Sequence, residues 1–274
     1  MQKNEFIISG SNLKPILLDQ TSTNDVVPKA VVVFCHGFKG FKDWGHFNKV
    51  AEEFAKAGLI FVKFNFSHNG TTPDTPTEFS DLEAFGNNNF SKELDDLDTV
   101  INWVVKDSSS LGKGLPLFLM GHSRGGGIVI LKASEDKRVS RVVTWATVGD
   151  FGKRLPADLD AYKKDGVLFI PNARTNQQMP IYYQFVEDYF INEERFNLNM
   201  AFGSLQIPAL LIHGDRDEAV HFLESENLSR KNKKGKFLLL KGEGHTFGAG
   251  HPFNDSILPS GAKKVVKASM DFFL

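Results

Sequence analysis

The sequence is poor in cysteine and has almost no net charge. Cys35 is the only cysteine among 274 residues, which excludes an internal disulfide, and its place at the end of an apolar run indicates a small buried thiol. The formal net charge of -1 lacks the excess of positive charge that is typical of nucleic-acid-binding proteins. The basic cluster at residues 230–236 is typical of a solvated loop. The apolar runs also stay well short of the roughly 20 residues that cross a bilayer. We therefore expect neither nucleic acid nor a membrane as a partner.

Other absences narrow the class further. The first residues lack the long apolar core and the small-residue cleavage site of a secretory signal, so a cytoplasmic location is expected by default. The sequence has no HxxxH or CxxC pair, so it predicts no metal site, and no cofactor is expected. It gives no indication of an oligomeric state. Phenylalanine is abundant, with 25 residues against 3 tryptophans and 4 tyrosines, which predicts a core filled by phenylalanine.

Short apolar runs alternate with helix-like segments along the chain. The strand-like runs lie at residues 30–34, 59–64, 117–120, 139–145, 209–212 and 237–240. The helix-like segments, with apolar spacings of three and four, lie at residues 47–57, 91–105, 125–134, 218–232 and 261–273. Residues 6–9 and 15–19 precede them as an expected antiparallel pair. This alternation predicts one α/β domain over residues 1–274, with a mostly parallel sheet flanked by helices.

Two stretches interrupt the alternation. Residues 67–90 are polar and contain several Gly, Pro and Asn residues, which predicts a long surface loop near the strand ends. Residues 151–205 form a longer interruption after the sixth strand, and their density of Phe and Tyr disfavours disorder. Long insertions of this kind are usually lids, binding loops or linkers, and we expect a lid here.

One pentapeptide carries the strongest chemical signal: Gly121-His122-Ser123-Arg124-Gly125. It follows a loop-like stretch at residues 112–116 and a short apolar strand, and it precedes a segment compatible with a helix. A GxSxG sequence in that setting is typical of a nucleophile elbow, a sharp turn that holds the serine in a strained conformation with its hydroxyl exposed. The two glycines remove Cβ atoms where strand and helix approach each other. Ser123 is therefore the candidate nucleophile.

A serine hydroxyl needs a base to take its proton and a carboxylate to orient that base. Asp217 lies in the loop after the strand at residues 209–212, and His245 lies in the glycine-rich loop after the next strand. Functional groups of open parallel sheets gather at the carboxyl ends of the strands. Ser123, Asp217 and His245 can therefore converge although they are distant in sequence.

The order Ser, Asp, His resembles that of the α/β-hydrolase superfamily, and the likeness extends over nearly the whole chain. The resemblance implies an α/β-hydrolase fold. It further implies that Ser123 attacks an acyl carbon, that His245 takes and returns the proton, and that Asp217 orients the imidazole.

An oxyanion hole is implied by the same resemblance. His36-Gly37-Phe38 follows an apolar strand and is similar to the superfamily's oxyanion loop, so the backbone N–H groups of Phe38 and Arg124 are the expected donors. The loop lacks a GGG run, which departs from the pattern of hormone-sensitive lipases. A serine at the elbow, in place of aspartate, disfavours dehalogenase and epoxide-hydrolase chemistry.

Competing assignments exist for two of the roles. Asp150 follows an earlier strand and is an alternative acid, as in some branches that resemble this fold. His68 and His251 are alternative bases, although neither lies in a strand-then-glycine-loop setting. His36 and His122 are better interpreted as structural residues near the oxyanion loop and the elbow.

Among the branches of the superfamily, the chain looks most like the feruloyl/cinnamoyl-esterase and dienelactone-hydrolase-like groups, and it is also similar to serine aminopeptidase S33 members. The expected partner is a small-molecule ester with a small to medium acyl group, aromatic ones included. The candidate substrate-binding residues are His68 and, in the expected lid, Tyr182, Tyr183 and Phe185.

Two other functions remain open at this point. An acyl or amino peptidase, or a thioesterase, can use the same triad, and a peptidase needs an anchor for a peptide terminus, for which Glu187, Asp188 and Glu193-Glu194 are candidates. A hydrolase-fold receptor that has lost turnover is the third hypothesis, and an intact triad argues against it.

Overall fold

The computed structural model describes residues 1–106 and 114–274. Residues 112 and 113 of the loop expected before the elbow strand lie outside the described residues. The strands are β1 (Gln2–Ser9), β2 (Pro15–Ser22), β3 (Ala30–Cys35), β4 (Leu59–Phe64), β5 (Leu117–His122), β6 (Val139–Trp145), β7 (Val167–Asn172), β8 (Gln177–Tyr182), β9 (Ala209–Gly214) and β10 (Gly235–Leu240). The helices are α1 (Phe47–Lys56), α2 (Leu82–Gly86), α3 (Phe90–Lys106), α4 (Arg124–Glu135), α5 (Leu159–Asp165), α6 (Gln184–Ile191), α7 (Leu198–Ser204), α8 (Leu223–Ser229) and α9 (Ser260–Phe273).

The described residues form one eight-stranded sheet in the order β1-β2-β4-β3-β5-β6-β9-β10. The pairs β1/β2 and β2/β4 are antiparallel and the other neighbours are parallel, which confirms the predicted α/β-hydrolase architecture. From β3 the chain goes to β4 on one side and later to β5 on the other. The order of strands therefore reverses between β3 and β5, and a crevice opens at the carboxyl ends of strands at such a point.

The strands read as unbroken apolar runs because helices cover both faces of the sheet. In β3, Val31 and Val33 pack against α3 and α4 on one face, whereas Val32 and Phe34 pack against α1 and α9 on the other. These four side chains are at most 1% exposed. The alternation of side chains fixes which residue of each strand faces which helix layer.

The prediction of a long surface loop at residues 67–90 is confirmed in part: residues 67–81 form a loop and most of residues 72–83 are at least partly exposed, but residues 67–71 and most of residues 84–90 are buried. The stretch contains α2, and Phe79 and Phe85 are buried in the core. Polar side chains at its start are buried too, because they bond to each other: Asn65, just before the stretch, donates to Thr71 Oγ1 at 2.9 Å, and Thr71 donates to Asn69 Oδ1 at 2.8 Å. Internal hydrogen bonds have replaced the solvent that the polar sequence predicts.

The helix expected at residues 218–232 is limited to α8, Leu223–Ser229. The residues before it form a loop, because the Asp217 carboxylate accepts the backbone N–H groups of Ala219 and Val220, both at 2.9 Å. An Asp side chain that bonds to the backbone two and three residues ahead competes with helix formation. The loop keeps Asp217 at the end of β9.

The insertion at residues 151–205 consists of α5, the antiparallel hairpin β7–β8, α6 and α7. The hairpin forms a two-stranded sheet of its own beside the main sheet. Its role as a lid stays a prediction at this stage. Among the described residues, no helix combines the length and apolar character needed to cross a membrane.

Candidate active site

Ser123 lies at the end of β5 with φ 56° and ψ -122°, a conformation that L-residues rarely adopt. The flanking glycines permit it. A Cβ on Gly121 would lie 2.2 Å from the carbonyl oxygen of Gly125, and a Cβ on Gly125 would lie 2.4 Å from the carbonyl oxygens of Cys35 and His36. The turn is thus possible only because neither glycine has a side chain, as the motif predicts.

Asp217 and His245 meet at the same edge of the sheet. His245 Nδ1 lies 2.7 Å from Asp217 Oδ2, so the ring donates this hydrogen bond to the carboxylate. Nε2 is then the nitrogen that is free to take a proton. Burial acts to raise the pKa of Asp217, but the hydrogen bonds from His213 and His245 outweigh it and hold this pKa well below its ordinary value. The carboxylate is therefore ionised at neutral pH.

His213 belongs to the candidate site, and sequence analysis did not find it. Its ring is fully buried at the end of β9, with Nε2 3.0 Å from Asp217 Oδ2 and 2.9 Å from the carbonyl oxygen of Val220. Both acceptors require a proton on Nε2, which leaves Nδ1 to accept from Ser225 Oγ at 2.6 Å. His213 therefore fixes the carboxylate from behind while His245 binds it in front.

His122 holds the loop that carries His245. Its Nε2 donates to the backbone carbonyl of His245 at 2.9 Å, and the two rings lie 4.6 Å apart between centroids. Burial, with repulsion from His245 as a further cause, lowers the pKa of His122 to about 3. The ring is therefore neutral near pH 7 and adds no charge beside His245.

The expected oxyanion donors lie beside Ser123. Gly37 packs so closely on the elbow that a Cβ there would approach Ser123 Cβ to 2.9 Å, and Phe38 follows it. Arg124 is the first residue of α4, so its N–H has no partner within the helix. Within the described residues neither the Phe38 nor the Arg124 amide has an acceptor, which leaves both available to a substrate oxygen.

The side chain of Arg124 is also fixed. It is buried, its Nη1 lies 3.3 Å from Glu93 Oε1, and its guanidinium lies 4.2 Å from the centre of the Phe38 ring. Burial raises the pKa of Glu93 and lowers that of Arg124, and each charge opposes the shift of the other. This buried pair anchors both expected oxyanion residues to α3.

Two cavities meet at Ser123, and both are also lined by Phe38, Lys39 and His245. The first, here called the apolar cavity, has a volume of about 390 Å³. Its wall also includes Val148, Phe151, Ile170, Ile181, Phe185 and Val220, together with the cationic side chains of Arg124 and Arg154. The second, here called the basic cavity, has a volume of about 260 Å³. Its wall also includes Trp44, Phe47, His122, Asn172, Arg174 and Thr246. The insertion contributes to both.

Of the four predicted substrate-binding residues, only Phe185 lines a cavity next to Ser123. Tyr182 instead packs on Gly86 and donates to Glu83 Oε2 at 2.5 Å. The Tyr183 ring packs against another tyrosine of the insertion, 5.4 Å away between centroids. His68 is buried beside Ser67 Oγ, 2.8 Å from its Nδ1. We correct the prediction for these three residues, because packing inside the protein occupies their side chains.

The alternative acid and bases do not reach the site. Asp150 caps the turn at Gly152 through a hydrogen bond of 2.8 Å and lines neither cavity. His251 accepts from the Gly45 N–H at 3.0 Å and lies against Phe41. The residues that the structure brings together are Ser123, Asp217 and His245.

Comparison with known proteins agrees with this geometry. The Hydrolase_4 family, described as serine aminopeptidase S33, matches residues 27–180, which is more than half of the chain. The chain belongs to this α/β-hydrolase family. A monoacylglycerol lipase of Mycolicibacterium smegmatis is 30% identical over 107 residues, a match that spans 39% of this chain and 33% of the lipase. The chain thus covers about a third of the length of this curated relative.

Solved structures share the whole fold. Est1E from Butyrivibrio proteoclasticus, solved with ferulic acid bound, has a TM-score of 0.73 at 17% identity, with 98% of this chain and 97% of that chain covered. A monoacylglycerol lipase from Paleococcus ferrophilus has a TM-score of 0.68 at 18% identity, with 94% and 97% covered. At these identities the likeness establishes the fold of this family member and leaves its substrate to the site itself.

Proposed function

We propose that this α/β hydrolase cleaves carboxylic esters through an acyl-enzyme on Ser123. One observation carries the proposal: a strained serine lies where two cavities meet, and the same cavities are lined by a histidine that is hydrogen-bonded to a buried carboxylate. Each group matches one requirement of acyl transfer, namely nucleophile, base and orienting acid.

The reaction follows from these positions. Ser123 Oγ attacks the acyl carbon while His245 Nε2 takes the hydroxyl proton, and the carbonyl oxygen becomes an oxyanion that accepts from the Phe38 and Arg124 amides. The intermediate collapses when His245 returns the proton to the leaving oxygen, and the alcohol departs. Water then repeats these steps on the acyl-enzyme and releases the acid. Ser123 and His245 form no direct hydrogen bond in this structure, and such contacts often tighten only when substrate binds.

The apolar cavity supports an apolar or aromatic acyl group. Its wall is built largely from aliphatic and phenyl side chains, and 390 Å³ is within the range of small-molecule sites. Ile170, Ile181 and Phe185 come from the insertion, so we also propose that residues 151–205 act as the lid of the site. The ferulic acid complex is a property of Est1E, but an aromatic acid of that kind is a reasonable probe of this cavity.

The lining argues against an aminopeptidase, although the family carries that description. A free amino terminus needs a carboxylate partner, and neither cavity is lined by Asp or Glu within the described residues. Asp188 accepts from Ser91 and Asn192, and Glu187, Glu193 and Glu194 are exposed outside both cavities. The expected amine anchors are therefore absent from the site.

The test compares p-nitrophenyl esters of short aliphatic, long aliphatic and hydroxycinnamic acids with aminoacyl p-nitroanilides. We expect the wild type to hydrolyse the short or aromatic esters, the Ser123→Ala variant to lose this activity, and the anilides to react much more slowly. Faster cleavage of the anilides would contradict the esterase proposal. Equal ester turnover by the Ser123→Ala variant would contradict the mechanism.

A further inference from the structure

We infer that the alcohol part of the substrate carries an anionic group, a carboxylate or phosphate, which Lys39 and Arg174 bind in the basic cavity. This inference rests on the proposed function, because it names the substrate class of the same site. It starts from the charges around Ser123. Cationic side chains line both cavities, and acidic side chains line neither within the described residues.

The cations fall into two groups. Arg124 pairs with Glu93, and Arg154 pairs with Glu224. Lys39 and Arg174 have no carboxylate within ion-pair distance among the described residues; both line the basic cavity, and Lys39 also lines the apolar one. Two charges that the fold leaves without an internal partner, facing one cavity, favour an anionic ligand there.

Lys39 is held in an unusual backbone conformation. Its φ of 54° is in the left-handed region, which lysine rarely occupies, and it lies in the turn that the Gly40 N–H closes on the Gly37 carbonyl oxygen at 3.0 Å. Its Nζ donates to the carbonyl oxygen of Pro171 at 3.1 Å, which leaves two of its three donors for a ligand. Burial lowers the pKa of Lys39, and a bound anion would offset that cost of burial.

Arg174 is positioned by aromatic rings. Its guanidinium carbon lies 5.4 Å from the ring centre of Phe41 and 5.6 Å from that of Phe79. Asp43 and Arg174 both lie close enough to His251 to affect its pKa, but the Asp43 carboxylate pairs with Lys42 and Lys63. The guanidinium is therefore oriented without being neutralised.

Asn172 supplies an independent observation in the same cavity. The residue is 7% exposed and lines the cavity, and its Nδ2 is buried without a hydrogen-bond partner among the described residues. Buried amide donors are nearly always satisfied, so an unpaired one in a residue that lines the cavity favours an acceptor there. The oxygens of a carboxylate or phosphate are such acceptors.

The linings of the two cavities assign the anion to the alcohol. His245, which returns a proton to the leaving oxygen, lies in the wall of both cavities, so both adjoin the reacting groups. The apolar cavity on the other side is the one that suits an apolar acyl chain. The leaving alcohol then occupies the basic cavity, and its charge faces Lys39 and Arg174.

The test uses two matched pairs of esters. In the first pair, 3-butyryloxybenzoate and 3-butyryloxybenzamide, the alcohol part differs by one negative charge. In the second pair, phenyl 4-carboxybenzoate and phenyl 4-carbamoylbenzoate, the acyl part differs in the same way. Values of kcat/KM are compared for the wild type, Lys39→Gln, Arg174→Gln and the control Arg230→Gln, whose side chain is 67% exposed and pairs with Glu226.

We expect the wild type to prefer the charged alcohol by about tenfold at low salt, since charged hydrogen bonds are the stronger ones. The preference should shrink as salt rises and fall to about twofold or less in Lys39→Gln and Arg174→Gln, because screening and charge removal act on the same interaction. Arg230→Gln should keep the wild-type ratio.

Several results would overturn the inference. One is equal hydrolysis of both alcohol esters by the wild type, and another is a preference that survives both substitutions in folded variants. A preference limited to the acyl pair would contradict the assignment to the alcohol. If none of the esters were hydrolysed, the proposed function itself would fail, which is distinct from hydrolysis without charge preference.

Discussion

Replacement of Asp217 by Asn removes one negative charge from the site and replaces an acceptor oxygen by a donor NH2 group. The carboxylate accepts four bonds: Oδ1 takes the Ala219 and Val220 N–H groups at 2.9 Å, and Oδ2 takes His213 at 3.0 Å and His245 at 2.7 Å. An asparagine has a single acceptor oxygen, so only one of these two sets of donors can be satisfied.

The structure indicates which set is kept. If the amide NH2 faced the backbone, the buried Val220 N–H would lose its acceptor, at about 1–3 kcal/mol, and so would the part-buried Ala219 N–H. The oxygen therefore faces Ala219 and Val220, and the NH2 faces the two imidazoles. His213 Nε2 keeps its proton for the Val220 carbonyl oxygen, 2.9 Å away, so His213 loses only its bond to residue 217. His245 must carry its proton on Nε2, and that nitrogen can then no longer accept the proton of Ser123.

We expect Asp217→Asn to lower kcat for p-nitrophenyl butyrate by about 10⁴-fold, or about 5 kcal/mol of barrier, as in serine enzymes whose base is held in the wrong tautomer. Thermal unfolding should still show a folded protein. The matched control is Asp215→Asn, which alters an exposed carboxylate whose one hydrogen bond within the described part of the chain comes from the Gly242 N–H, at 2.6 Å, and it should keep wild-type kcat. Turnover by folded Asp217→Asn within about tenfold of the wild type would refute the reasoning and direct attention to Asp150.

Three further predictions follow from the described contacts. Gly125→Ala should abolish activity and destabilise the fold, since its Cβ would lie 2.4 Å from two carbonyl oxygens. Gly250→Ala should be tolerated, because the space around that residue is open. Equal activity and equal Tm in the two variants would contradict this prediction. Burial lowers the pKa of His46 from 6.5 to about 4, so the unfolded chain binds more protons in that window and stability falls as pH drops through it. The free energy of unfolding, measured by urea titration near pH 6.5 and near pH 4, should fall by up to about 3 kcal/mol less in His46→Phe than in the wild type. An equal fall in both proteins would argue against a buried neutral ring. Phe185→Ala should enlarge the apolar cavity and shift ester preference to longer acyl chains, whereas Phe190→Ala, on the same helix but 51% exposed, should not; identical chain-length profiles would remove Phe185 from the pocket.

The sheet could be predicted because its central strands are buried on both faces. Runs such as residues 30–34 are entirely apolar, and that composition, with helix-like spacing between the runs, leaves few other architectures. The elbow could be predicted for a different reason. Close contacts between backbone atoms require glycine at positions 121 and 125, so these two residues directly indicate that strand and helix approach each other closely.

The parts that sequence reasoning missed depend on contacts between distant segments. The polar residues of 67–71 carry no sign that they bond to each other rather than to water, so their burial could not be predicted. Tyr182 and Tyr183 share the composition of a pocket lining, and only the packing of the insertion shows that their rings are occupied elsewhere. His213 did leave a local signal, because it lies four residues before Asp217 at a strand end, where a turn brings the two side chains together.

The central claim is that Ser123 is an activated nucleophile whose base is His245. The most direct measurement is mass-spectrometric mapping of the folded protein after treatment with a fluorophosphonate, which phosphonylates an activated serine. We predict one modification per chain at Ser123, with labelling abolished in Ser123→Ala and strongly slowed in His245→Ala. A folded wild type that stays unlabelled, or that is labelled at another residue, would contradict the account.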